Sequence, residues 1–318
     1  MTKQDKELPQ RIIYTGQHYD INMKDVFFKD LKLPKPDWDL NETKLPKMIS
    51  GIWKILKKEK PQCVQVFGDC RSTLAGAIAA QDLNIPIVHV EAGMRCFRTD
   101  VPEERIRRMV DHASTVLFVP NLDAIVNLEN EHIREGVYKI GNVMFDTFAS
   151  LCPLKKGKDY KKYVYLSIHR QENTESKINL ESIFEAITGK EKIIFPVHPR
   201  TRNAIKDFGI KIPKNVKMIE PASYKKNIQL ISDAKKVLTD SGGVQNESYW
   251  MSVPCGVLRR QTEWMEQVKD GWSFLLGADK TSIEKFLTNS FKVDRKRTAM
   301  PTFGAKKRIR QILNEIYG

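Results

Sequence analysis

Residues 235–251 read K-K-V-L-T-D-S-G-G-V-Q-N-E-S-Y-W-M. A short apolar run closes at Leu238, two polar residues follow, and Ser241-Gly242-Gly243 makes a small-residue turn. From Val244 to Met251 the spacing predicts a helix. A buried strand, a tight turn and a helix in immediate succession form the repeating unit of a parallel α/β sheet. Similar apolar runs occur at Cys63–Phe67, Ile85–Val90, Val116–Val119, Tyr163–Ile168, Lys192–Val197 and Gly256–Leu258. Their near-continuous apolar character suits strands buried on both faces. Helical patterns lie between them at Ser72–Leu83, Glu103–Ala113, Leu122–Glu135, Leu180–Thr188 and Tyr224–Ser232. The fold class expected is α/β, with two Rossmann-like domains built on parallel sheets.

The alternation pauses at Leu151–Lys162, which reads as a linker. The expected boundaries are 1–150 for the first domain and 151–300 for the second. Residues 301–318 carry an amphipathic helix, Ala305–Tyr317, with Ile309, Ile312, Leu313 and Ile316 on one face. At 318 residues the chain is long enough for two such cores. Its content of 41% hydrophobic and 29% charged residues is ordinary for a soluble protein. No apolar run reaches the roughly 18–20 residues of a membrane span, and the polar start at Met1–Arg11 lacks the pattern of a signal peptide. The expected location is cytoplasmic, with no membrane partner. Five scattered cysteines without a C-x-x-C pair read as reduced thiols, and no metal site is expected. The net charge of +14 fits a cleft for a dianionic substrate better than nucleic acid, because no basic motif is interleaved with aromatics.

Open α/β sheets bind ligands beyond the carboxyl ends of their strands. The residues at those positions are Gly68-Asp69, His89-Val90-Glu91-Ala92-Gly93, His169-Arg170-Gln171-Glu172-Asn173, His198-Pro199-Arg200 and Asp240-Ser241-Gly242-Gly243. Singly, such residues serve as helix caps; five together point to a site. Ser241, Gly242 and Gly243 open a helix whose N–H groups and dipole suit a phosphate. Glu247, one turn on, can accept hydrogen bonds from ribose hydroxyls, and Arg259 can assist at the phosphates. No G-x-G-x-x-G or P-loop pattern supports a dinucleotide or nucleoside triphosphate. Asp69, Glu91 and Glu103 are the acids able to gather at one sheet edge and exchange protons.

These motifs resemble, in order, those of the non-hydrolysing UDP-N-acetylglucosamine 2-epimerases. The series runs Thr15-Gly16-Gln17-His18, Gly68-Asp69, His89 to Arg95, Pro102-Glu103-Glu104 with Arg107, and Gly141-Asn142. It continues with His169 to Asn173, Thr239 to Gln245 and Thr262-Glu263. The resemblance spans roughly residues 11–280 and implies the GT-B arrangement, with the active site in the interdomain cleft. It implies interconversion of UDP-GlcNAc and UDP-ManNAc by elimination of UDP to a 2-acetamidoglucal, followed by re-addition. By matching positions it makes Asp69, Glu91, Glu103 and His169 the catalytic set. It makes Arg107, Arg170, Glu172, His198, Ser241, Gly242, Gly243, Gln245, Glu247 and Arg259 the UDP and substrate ligands. No cofactor is implied. The partner is the UDP-sugar, and a homodimer is implied through the first domain.

The sequence departs from the family pattern in places. It starts just before TGQH, without the usual strand, glycine-arginine-proline-glutamate loop and helix. A sheet lacking that strand would expose an edge or groove. A late start, a shortened enzyme and a fold that binds without turnover are the three readings of this. Cys70-Arg71, Ile106, Asn246 and Trp264-Met265 also replace the usual residues, and Asn41–Pro46 stands where a glycine-rich turn is usual. A hydrolysing epimerase, a UDP-diacetamido-sugar epimerase, a glycosyltransferase and a nucleotide-sugar sensor are the alternative functions.

Overall fold

A computed structural model describes residues 9–16, 34–151, 161–189, 191–290 and 296–318. The positions Gln17-His18 and most of the expected linker therefore lie outside the described residues. The chain divides into two compact units, one comprising Met1–Ser150 with Pro301–Gly318 and the other Leu151–Met300.

The second unit is built on six parallel strands. They are β7 (Val164–Ser167), β8 (Ile193–Pro196), β9 (Val216–Ile219), β10 (Lys236–Thr239), β11 (Cys255–Val257) and β12 (Ser273–Leu275). Their spatial order is β12-β11-β10-β7-β8-β9. The chain thus runs outward from β7 through β8 to β9, then returns to β10 on the other side of β7. The order reverses between β7 and β10, where Thr239 pairs with Ser167. That reversal opens a crevice between the loops that follow the two strands. Helices cover both faces. Leu180, Ile183, Phe184 and Ile187 of the helix Lys177–Ile187 pack on one face with Ile283, Phe286 and Leu287 of the helix Lys280–Thr288. Ile228 and Ile231 of the helix Tyr224–Asp233 are fully buried, and Ile231 joins Tyr163, Val237 and Val257 in a second cluster. Lys236 is buried within β10, and its ammonium donates to the carbonyls of Phe286 (2.9 Å) and Asn289 (2.8 Å). It thereby occupies the carbonyls that a helix leaves unpaired at its C-terminus.

The first unit carries four parallel strands in sequence order: β3 (Val64–Phe67), β4 (Ile87–Val90), β5 (Val116–Val119) and β6 (Val137–Lys139). A separate parallel pair joins β1 (Ile13–Tyr14) to β2 (Trp38–Asp39). β4 and β5 are buried at every position. Met48, Ile52 and Leu56 of the helix Leu45–Glu59 pack with Ala75 and Ala79 of the helix Arg71–Asp82 in one cluster. Val88, Val90 and Phe118 form another with Ile309 and Leu313 of the helix Ala305–Tyr317. β3 is an edge strand among the described residues, and its Phe67 is 52% exposed.

The elements that the sequence reading named agree with the structure to within a few residues, with two instructive differences, while others, among them the helices Leu45–Glu59 and Lys280–Thr288, were not read from the sequence. The helix that starts at Leu122 ends at Asn130 rather than Glu135, because His132 takes φ +61 and breaks the helical path. The helix after Asp240 begins at Gly242, two residues early, because Ser241 caps it by accepting the Val244 N–H.

Gly256 sets how closely β11 is packed. A β-carbon there would lie 2.6 Å from Leu276 Cδ1 and 2.7 Å from Leu238 Cδ2. Gly256→Val is therefore expected to cost about 1–3 kcal/mol by overpacking, read as a lower midpoint in chemical denaturation. An unchanged midpoint would show that this layer has slack.

Candidate functional site

In the second unit the residues after β7 and β10 meet at the carboxylate of Asp240. It is fully buried and accepts the N–H groups of His169 (3.0 Å) and Arg170 (3.0 Å) and the side-chain amide of Asn173 (3.0 Å). The His169 ring reaches the same carboxylate, with Nδ1 3.0 Å from Oδ1. Burial alone would raise the Asp240 carboxyl, but the hydrogen bond and charge of His169, with Asn173 and the Arg170 N–H, hold it below its ordinary range. An aspartate so placed accepts a hydrogen bond from Nδ1–H and leaves Nε2 on the part-exposed ring. Across β8, His198 caps the helix Pro199–Asp207 by accepting the Arg200 N–H. Its ring centre is 6.1 Å from that of His169.

The helix Gly242–Trp250 starts beside this cluster, with half-buried Ser241, Gly242 and Gly243 at its N-terminus. One turn further, Glu247 is buried with no cationic partner among the described residues. Burial pushes its carboxyl up to about 8, opposed by a hydrogen bond from Tyr224. Arg259 is held by both carboxylate oxygens of Glu263, at 2.9 and 3.0 Å, in a buried pair. Gln245 is fully buried and accepts the Thr262 hydroxyl at 2.6 Å. Glu172 is exposed on the short helix Gln171–Thr174, capped by Arg170.

In the first unit Asp69 follows β3 and forms an ion pair with Arg107. Arg107 lies one turn after Glu103 on the helix Pro102–Ala113. Glu91 follows β4 at φ +73, an uncommon conformation for a residue with a side chain. A β-carbon at Gly68 would lie 3.7 Å from Glu91 Oε2, so that carboxylate sits over the Gly68-Asp69 turn. Gly93, two residues on, has φ +76, and a β-carbon there would lie 2.4 Å from the Ala124 carbonyl oxygen. Only glycine fits this approach. Buried Glu104 accepts the N–H groups of Cys96 (2.8 Å) and Phe97 (3.2 Å) and fixes the loop that leads to the helix.

A family model described as UDP-N-acetylglucosamine 2-epimerase matches residues 1–317. This chain belongs to that family. It is 46% identical over 299 residues to a UDP-N-acetylglucosamine 2-epimerase homolog of Methanococcus maripaludis, covering 87% of this chain and 83% of that one. It is 39% identical over 297 residues to the UDP-2,3-diacetamido-2,3-dideoxy-D-glucuronate 2-epimerase of Pseudomonas aeruginosa, covering 88% and 83%. The crystal structure of the Methanocaldococcus jannaschii UDP-GlcNAc 2-epimerase in complex with UDP-GlcNAc and UDP is similar with a TM-score of 0.88. It is 36% identical, and the match covers 100% of this chain and 94% of that one.

Within this member of the epimerase family, the structure brings Asp69, Glu91 and Arg107 together in one unit and His169, His198 and Ser241–Gly243 together at strand ends in the other. Gln245 and Arg259 engage protein partners instead, Thr262 and Glu263. Sequence reading missed what Glu104, Asp111 and Asp240 do, because a buried carboxylate that collects backbone N–H groups has no motif.

Glu247 predicts a pH dependence. Its carboxyl is raised in the folded protein, so the unfolded chain ionises first. Its contribution to stability is intact below about pH 4.5 and is lost as pH rises towards about 8. Glu247→Gln removes this loss. The variant's thermal midpoint should match the unsubstituted protein near pH 5 and exceed it near pH 9, by on the order of a few kcal/mol of stability. Equal differences at both pH values would show that Glu247 is not the buried acid described.

Proposed function

We propose that the protein is a UDP-N-acetylglucosamine 2-epimerase that interconverts UDP-GlcNAc and UDP-ManNAc. The observation that carries this is the Glu91 carboxylate beside Gly68, the residue before the Arg107-paired Asp69, in a chain of the epimerase family. Inverting C2 requires one group to take the C2 proton and another to return a proton to the opposite face. As the partner of Arg107, Asp69 is a carboxylate and therefore a proton acceptor. Glu91 and Glu103 supply the remaining acid/base capacity. Loss of the C2 proton drives electrons towards C1 and breaks the bond from C1 to the diphosphate oxygen, leaving 2-acetamidoglucal and UDP. Addition of UDP at C1 with protonation at C2 from the other face completes the cycle.

The second unit serves UDP. The N–H groups at Ser241–Gly243 and the dipole of the helix they open suit the diphosphate. His169, its Nδ1 proton directed to Asp240, presents Nε2 on the same side and stabilises charge as UDP leaves. Glu247 would accept from ribose hydroxyls, with Arg170, Glu172 and His198, which follow β7 and β8, as further ligands. Arg259, paired with Glu263, would assist at the phosphates. The net charge of +14 favours capture of a dianion. The same reading makes the protein a cytoplasmic homodimer serving cell-surface polysaccharide synthesis, on the strength of the family pattern alone. No helix among the described residues is long and apolar enough to cross a membrane.

A second substrate has one specific observation in its favour, the 39% identity to the Pseudomonas aeruginosa enzyme named for a UDP-diacetamido-glucuronate. Incubation with UDP-GlcNAc in heavy water, followed by proton NMR, is the test. UDP-ManNAc with deuterium at C2 is expected. Free ManNAc with UDP would mean hydrolysis, and turnover of the diacetamido uronate alone would reassign the sugar. An unchanged substrate in both assays would overturn the reading. Asp69→Asn and Glu91→Gln should each lower kcat by about 100-fold or more while UDP affinity, measured by calorimetry, stays within about threefold. Full activity in the double variant would remove both residues from the mechanism.

A further inference from the structure

His89 is fully buried in the middle of the first unit, and the chemistry above gives it no task. Its ring spans two segments that carry the acids. Nε2 lies 2.8 Å from the carbonyl oxygen of Gly68, the residue before Asp69. Nδ1 lies 2.6 Å from Oδ1 of Asp111, on the helix that also carries Glu103 and Arg107. The other oxygen of Asp111 accepts the Gly93 N–H at 3.1 Å, two residues beyond Glu91, and a guanidinium N–H of Arg95 at 2.7 Å. Arg95 in turn holds Glu131 through two bonds of 2.8 Å.

The donor count fixes the proton at Nε2. A carbonyl oxygen only accepts, so Nε2 must carry a proton and donate to Gly68. The Asp111 carboxyl would be raised by its burial, but the hydrogen bond and charge of His89, with Arg95, bring it below its ordinary range. The ring is thus held at both nitrogens, by the Gly68 carbonyl and by Asp111. Its charged surroundings are Asp111 and Arg95 in direct or relayed contact. Arg108 and His112 lie 3.7 and 3.9 Å from Glu131 on the far side. Glu104, Arg107 and Asp69 form the adjoining ionic chain.

We propose that His89 and Asp111 are positioning residues, a buried histidine–aspartate pair that fixes the Gly68-Asp69 turn against the Glu91 turn. This rests on the functional reading for its kinetic consequence but not for its geometry. The pair acts at backbone atoms: a donor to the Gly68 carbonyl on one side and an acceptor from the Gly93 N–H on the other. It thereby sets the distance between two acids without touching substrate. The φ of +73 at Glu91 persists because both flanks of its turn are held.

Two measurements test this. In protein labelled with 15N-histidine, one histidine should show an Nε2–H that exchanges slowly with solvent, because it is buried and bonded to the Gly68 carbonyl, and that signal should vanish in His89→Gln. Absence of a slowly exchanging Nε2–H overturns the proposal, whatever the enzyme turns over. In kinetics, His89→Ala should lower kcat per folded molecule by about 100-fold with KM and UDP affinity changed less than about threefold. His89→Gln, which keeps a donor for the Gly68 carbonyl, should restore about tenfold of that loss. An unchanged kcat per folded molecule in His89→Ala would reduce the pair to a stability element and overturn its positioning role. Lack of turnover in the unsubstituted protein would count against the functional reading alone, since the NMR result still decides the pair.

Discussion

Two buried carboxylates, Asp111 in one unit and Asp240 in the other, hold the ends of the parallel strands where the site residues sit. Parallel strands create the need. Each strand delivers its next residues to the same edge of the sheet, so several loops end side by side with backbone donors that no neighbouring strand can satisfy. A carboxylate accepts from several donors at once and is stronger than a neutral acceptor. Asp240 collects the His169 and Arg170 N–H groups and the Asn173 amide, and Asp111 collects the Gly93 N–H, the His89 ring and Arg95. Losing either would leave several buried donors unpaired, each costing about 1–3 kcal/mol.

The same device explains why histidines recur at these edges. Each buried aspartate faces one imidazole, and the neighbourhood of the second ring nitrogen decides what that imidazole does. At His169 the ring is part exposed and only Nδ1 is engaged with the aspartate, so Nε2 remains for a ligand. At His89 the second nitrogen meets the Gly68 carbonyl, so the ring is consumed by the scaffold. In the proposed reading one histidine serves chemistry and the other serves geometry, although both follow apolar residues and precede an acid.

How much of this was legible follows from the same physics. The strands β4, β5, β7, β8 and β10 announce themselves because both faces are buried, which leaves an unbroken apolar run. β6, β9 and β12 escaped because they are three or four residues long and partly exposed, with Lys139 and Lys217 breaking the apolar pattern. The strand-end residues were legible as a set, since a parallel sheet dictates where its ligands bind. Their division into ligand-facing and scaffold residues was not. Gln245 and Arg259 look like binding residues in sequence, yet their partners Thr262 and Glu263 lie 17 and 4 positions away, and only folding shows them engaged.

On the proposed function, elimination of a diphosphate would place opposite demands on the two units, and their electrostatics differ in that sense. Where a proton must come and go, the acids need neighbours that set their charge. Asp69 has Arg107, and Arg107 has Glu104, so a chain of alternating charges reaches from the buried helix face to the sheet edge. Where the diphosphate binds, fixed donors suffice, and neutral N–H groups at a helix start provide them without a counter-charge to be displaced. On the proposed function, the pairing of Arg259 with Glu263 would keep that buried cation from attracting the leaving group too strongly for it to return to C1. Reversible addition of UDP would require that balance, because a site that held the free diphosphate much more tightly than the transition state would stop after elimination.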